Sequence, residues 1–112
     1  PSLQTNYPPY DIVKTDEHSY VIELAVAGFS KKDIAVTVEN GVLTVESDRE
    51  GNAESSGQEI IHRGISKRYF KKSFSISDDV EIRGAELKDG LLRISMEKII
   101  PESRKRKKIS IK

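Results

Sequence analysis

The stretch Ala85-Glu86-Leu87-Lys88-Asp89-Gly90-Leu91-Leu92 decides the fold. An Asp-Gly pair between two alternating apolar runs signals a tight hairpin, because both residues accept the φ > 0 that the turn demands. Side chains alternate between the two faces of a strand. Ala85 and Leu87 therefore share a face of the first strand, and Leu92, Ile94 and Met96 share a face of the second.

The same alternation recurs on the N-terminal side. Tyr20, Ile22, Leu24 and Val26 lie on one face of residues 19–26, and Ile34, Val36 and Val38 on one face of the next run. Asn40-Gly41 is a second favoured hairpin turn, with Leu43 and Val45 on the return strand. A short strand is expected over residues 10–14, with a polar turn at 15–17. In residues 69–77, Phe70, Phe74 and Ile76 share a face with Lys72, a cation among apolar neighbours. Residues 30–33 have the spacing of a capping box, which suits one helical turn or a plain polar loop. Residues 48–59 are rich in Gly, Ser, Asn and Glu, and a loop of that length in a small domain is usually functional or mobile. Ile60, Ile61, His62 and Arg63 at its end form a candidate brief strand. Short strands joined by polar turns, with almost no helix, predict an all-β fold, an antiparallel sandwich.

The chain has 112 residues, enough for one domain with a modest core. No apolar run approaches the roughly 20 residues that cross a bilayer, and no signal peptide is visible. Zero cysteines exclude disulfides and cysteine-ligated metal, and fit a cytoplasmic protein. The first residue is Pro rather than Met, as expected of a fragment of a longer chain. Residues 102–112 carry six basic side chains and one acid, a balance of +5. With a total of +1, the rest of the chain carries −4, so the basic end is suited to the acidic body of a neighbour.

No pattern for catalysis or for a cofactor emerges. Gly51 and Gly57 are wrongly spaced for a phosphate-binding loop, and Gln58 follows where Lys is required. His18 and His62 lie outside metal-ligand spacing and read as surface histidines. Asp78, Asp79 and Glu81 cluster at a turn, where carboxylates solvate and cap. No Gly-x-Ser-x-Gly elbow is present. The basic residues Arg104, Lys105, Arg106, Lys107 and Lys108 read either as a solvated spacer, extended by self-repulsion, or as a phosphate-binding run. No aromatic is interleaved to stack on bases, which favours the spacer.

Beyond this run stand Ile109 and Ile111, which point the same way in an extended chain. Aliphatic side chains at a charged end are costly to leave in water. Burying both is worth roughly 3–6 kcal/mol before ordering costs, enough for weak contacts that add by avidity. Such a tail docks as an added strand at a sheet edge. The alternatives are a frayed end or a last strand of the same sandwich.

Ala85 followed by Asp89-Gly90-Leu91-Leu92, together with Ile109-Ser110-Ile111, resembles the α-crystallin domain family of small heat shock proteins. Ala27-Gly28-Phe29 with Asp33-Ile34 is similar to a further segment of that family. Tyr7-Pro8-Pro9-Tyr10, Gly64-Ile65 and Ile100-Pro101-Glu102 look most like its bacterial inclusion-body-associated subclass. The resemblance implies an immunoglobulin-like β-sandwich with an extended C-terminal tail. Residues 1–9 would be the remnant of a flexible N-terminal arm, 10–100 the domain, and 101–112 the extension.

The resemblance also implies an ATP-independent chaperone, not an enzyme, that holds partly unfolded client proteins and passes them to ATP-dependent chaperones. It implies no cofactor, no nucleic acid and no membrane. The tail isoleucines would enter a groove lined by Ile34, Val36, Val38, Ala85 and Leu87, usually on another subunit. From Pro101 to Ile109 the linker reaches at most ~29 Å, which serves either its own groove or a neighbour's. Residues 60–63 would cross to a partner sandwich to form a homodimer within a larger homo-oligomer. Lys72 stands where many members carry Arg, keeping the charge but losing the planar fork for a contact across the dimer. The alternative is a CS-domain-like co-chaperone, a similar sandwich that binds one folded partner. The long loop and the isoleucine tail argue against it.

Overall fold

The computed structural model describes residues 7–48, 59, 61–62 and 69–112. Two antiparallel sheets face each other as a β-sandwich, as expected. Its strands are β1 (Tyr10–Asp16), β2 (Ser19–Ala25), β3 (Ile34–Glu39), β4 (Val42–Ser47), β5 (Lys71–Ser75), β6 (Val80–Lys88) and β7 (Leu91–Lys98). The first sheet has the order β1-β2-β7-β6 and the second β3-β4-β5. Residues 1–6 of the expected arm, most of the 48–59 loop, and Ile60 and Arg63 lie outside the described residues.

Both predicted hairpins form, and their turns explain the choice of residues. Asn40 and Gly41 have φ of 51° and 76°, and Asp89 and Gly90 have 53° and 78°. Two consecutive positive φ values are the type I′ geometry, whose twist matches that of the flanking strands. In the register so fixed, Leu87 stands opposite Leu92 and Val38 opposite Leu43.

The inward faces of the strands make the core. Ile22, Leu24 and Val26 meet Leu92, Ile94 and Met96 from one sheet, and Leu43, Val45 and Phe70 close from the other. The buried Ser47 keeps its polar atoms satisfied. Its Oγ accepts the Phe70 N–H at 2.9 Å, and its own N–H donates to the Phe70 carbonyl at 3.0 Å.

Several boundaries differ from expectation. β1 continues to Asp16, and the turn sits at Glu17-His18, because the Asp16 carboxylate accepts the His18 N–H at 2.9 Å and closes the loop two residues later. β5 is shorter than the alternating run 69–77. Residues 30–33 take the helical option as a one-turn 3-10 helix (Lys31–Asp33). The Asp33 carboxylate there accepts both the Ser30 N–H and the Ser30 hydroxyl at 2.9 Å.

The sandwich also takes in three residues assigned above to the arm. Pro8 is fully buried, Tyr7 packs edge-on against Phe70 at 5.9 Å, and the Pro9 carbonyl accepts the Ala25 N–H. The Tyr7-Pro8 bond is cis.

Candidate functional site

β6 carries an irregularity that strict alternation does not show. Its ladder to β7 steps from Ile82–Met96 to Gly84–Ser95, leaving Arg83 as an extra residue. A bulge of this kind resets which face each side chain takes. Val80 and Ile82 before it, and Ala85 and Leu87 after it, therefore share the inward side despite their opposite parity.

The far side of the sandwich from β1 is where the two sheets leave a gap. β6 ends the first sheet and β3 ends the second, so the edges of both stand side by side. Between them lies a hollow of about 340 Å³ lined by Ile34 and Val36 from β3, Ala85 and Leu87 from β6, and Leu92 from β7. Lys31 and Glu86 stand at its mouth. The 3-10 turn places Lys31 there. The fifth expected groove residue, Val38, lines a second hollow of about 380 Å³ further along, with Ile76, Val80 and Ile82. β3 and β6 run antiparallel across the gap, so the two hollows follow one another along it. A larger hollow, about 470 Å³, lies on the outer face of β2, β7 and β6. Its arginines are paired: Arg83 with Glu81 and Glu97, both at 2.6 Å, and Arg93 with Glu23 at 2.8 Å. Such exposed pairs are worth little and mark a wetted face.

Ile109 and Ile111 are 74% and 96% exposed, outside both hollows. The tail from 105 onward has no ladder to either sheet. The option of a last strand of the same sandwich is therefore not taken within the single chain.

The opposite end of the sandwich holds Lys72. Its Nζ lies 4.8 Å above the centre of the Tyr10 ring, and Tyr10 in turn packs edge-on against Phe74 at 5.1 Å. A cation over an aromatic face is attracted by the ring quadrupole, which explains a lysine on an apolar face. The alternation exposed the oddity of Lys72, but nothing in the sequence named Tyr10 as its partner. β1, which carries Tyr10, is exposed along its whole length, with Ile12 at 57%. Ile61 and His62 are both exposed and belong to no strand of the single chain, while Ile60 and Arg63 are outside the described residues.

His18 is half-buried and His62 exposed. Among the described residues no group of three or more acidic or histidine side chains is placed to hold a metal ion. No helix among them is long and apolar enough to cross a membrane.

Comparison with known proteins gives one answer. The Hsp20/alpha crystallin family pattern matches residues 12–112. The chain is 44% identical over 108 residues to small heat shock protein HspB of Bradyrhizobium diazoefficiens, covering 96% of this chain and 69% of that one. It is 38% identical over 106 residues to small heat shock protein IbpA of Serratia proteamaculans, covering 95% and 76%. Among solved structures, the C-terminally truncated small heat shock protein AgsA from Salmonella typhimurium superposes with a TM-score of 0.71 at 32% identity, covering 93% of this chain and 98% of that one. A small heat shock protein from Synechococcus phage S-ShM2 gives 0.69 at 42%, covering 94% and 99%.

Proposed function

Since the chain belongs to the Hsp20/alpha crystallin family, whose members are chaperones rather than enzymes, we propose that it is an ATP-independent holdase assembled by its own tail. In this reading Ile109 and Ile111 of one subunit fill the gap between β3 and β6 of another. The observation that carries it is the pairing of an open apolar slot with two exposed aliphatic side chains on one chain. Each is costly in water alone, and each relieves the other. Two buried isoleucines supply roughly 3–6 kcal/mol before ordering costs, which makes a single contact weak and an assembly of many contacts stable yet reversible.

Reversibility is what a holdase needs. Subunits that separate on warming uncover apolar slots that accept exposed segments of partly unfolded clients, without nucleotide. Clients would then pass to ATP-dependent chaperones. Homodimers form the building unit. The exposed edge of β1, beside Lys72 and Tyr10, offers an unpaired ladder to a strand from residues 60–63 of a partner.

The test is a heat-aggregation assay with a model client and no ATP, run beside light scattering. The intact chain suppresses aggregation and has the mass of an assembly. Ile109→Ala/Ile111→Ala lowers the mass toward that of a dimer. An unchanged mass would remove the tail from the mechanism, and unabated client aggregation would remove the holdase activity.

A further inference from the structure

The gap between β3 and β6 carries a different balance of charge at its two ends, which gives it a direction. The hollow holding Ile34, Val36, Ala85 and Leu87 has Lys31 and Glu86 at its mouth, one charge of each sign, with Lys32 next to Lys31 in the chain. The hollow that follows it, floored by Val38, Ile76, Val80 and Ile82, is rimmed by Asp78 and Glu81. Glu81 shares its charge with Arg83 at 2.6 Å, whereas Asp78 is exposed and makes no ion pair among the described residues. An apolar floor under acidic groups suits a long cationic side chain, which buries its methylene stem and leaves its head at the rim.

The tail supplies such a side chain at the right interval. In an extended segment Lys107, Ile109 and Ile111 project to the same side, about 6.6 Å apart. Ile34, Val36 and Val38 repeat at the same interval along β3. We propose that the tail of a second copy of this chain enters from the acidic end and runs along β6. Lys107 then lies beside Val38 and Ile82, Ile109 beside Val36 and Ala85, and Ile111 beside Ile34 and Leu87. Entry from the other end would carry Lys107 past Ile34 to Lys31 and Lys32, two cations that the single carboxylate of Glu86 offsets only in part. The occupant is a second copy because the chain's own isoleucines stand exposed outside the groove. This inference rests on the tail-in-groove reading and adds its direction and the role of the second hollow.

The absence of native cysteine makes the direction measurable. Chains bearing Ile111→Cys, which keep both Lys107 and Lys31, are mixed with chains bearing Ile34→Cys, or with chains bearing Val38→Cys, under mild oxidation. The proposed direction gives the Ile111→Cys to Ile34→Cys cross-link in preference to the one with Val38→Cys. In parallel, Asp78→Lys weakens assembly roughly threefold at low salt, an effect that fades by 1 M salt. Lys107→Glu in a tail added to the Asp78→Lys chain restores it. Preferential cross-linking of Ile111→Cys to Val38→Cys, or assembly indifferent to Asp78→Lys, overturns the direction while leaving tail docking intact. If Ile109→Ala/Ile111→Ala leaves the assembly unchanged, the underlying reading fails and this one with it.

Discussion

Val36 and Ala85 belong to different sheets yet line the same hollow, one from β3 and the other from β6. Here a small residue on one wall and a half-buried valine on the other leave room for a guest. Enlarging the small one should close the slot without touching the core. Ala85→Trp is expected to leave the circular dichroism of the fold unchanged and to lower the assembly mass by light scattering toward a dimer.

Core and tail should separate cleanly in their effects. Ile94 is fully buried, and Ile94→Ala is expected to cost about 2–5 kcal/mol in urea unfolding. Ile111 is exposed in the single chain, so Ile111→Ala, measured at concentrations below assembly, should shift stability by less than ~0.5 kcal/mol.

The hairpin turn predicts a contrast between two glycines. Gly90 has φ of 78°, so Gly90→Ala strains the backbone and should destabilise by roughly 1 kcal/mol or more. At Gly84 a Cβ would meet nothing within 4 Å. Gly84→Ala should be neutral or stabilising by about 0.4–1 kcal/mol, read from the same urea curves.

Lys72 and Tyr10 should be coupled. A double-mutant cycle with Lys72→Ala and Tyr10→Leu is expected to return about 0.5–1 kcal/mol of interaction energy. Additive effects would show that the ring contributes only its packing.

The acid limb of stability should involve Asp16. The hydrogen bond from the His18 N–H, and then one from the Ser19 side chain, hold its carboxyl below the usual value of 3.8. A depressed folded-state pKa contributes stability that is present above 3.8 and lost as pH falls through the folded value. Asp16→Asn should therefore flatten the loss of stability measured below about pH 4.

How much of this was legible beforehand follows from which forces are local. The turns at Asn40-Gly41 and Asp89-Gly90 were readable because φ > 0 restricts residue choice at the position itself. The faces of β2, β3 and β7 followed from strict alternation. The face of β6 was only half readable: Ala85 and Leu87 are rightly paired, but the bulge at Arg83 that aligns them with Val80 and Ile82 leaves no mark in alternation. Four of the five expected groove residues meet in one hollow. Val38 falls in the next, because a groove between two sheets is longer than one pair of side chains. Pro8 read as arm because proline disfavours strands. Its burial comes from tertiary packing, which no local rule encodes. Tyr10 was unpredictable as the partner of Lys72 for the same reason, being 62 positions away.

The central claim is that Ile109 of one subunit reaches the wall of the slot on another. Since the chain has no native cysteine, any disulfide reports an introduced contact. Val36→Cys chains mixed with mass-tagged Ile109→Cys chains should form a tagged–untagged disulfide dimer, because a bridge closes only when the two Cα atoms come within about 7 Å. A yield no greater than with Ser75→Cys, on the outer sheet edge away from the slot, would contradict the account.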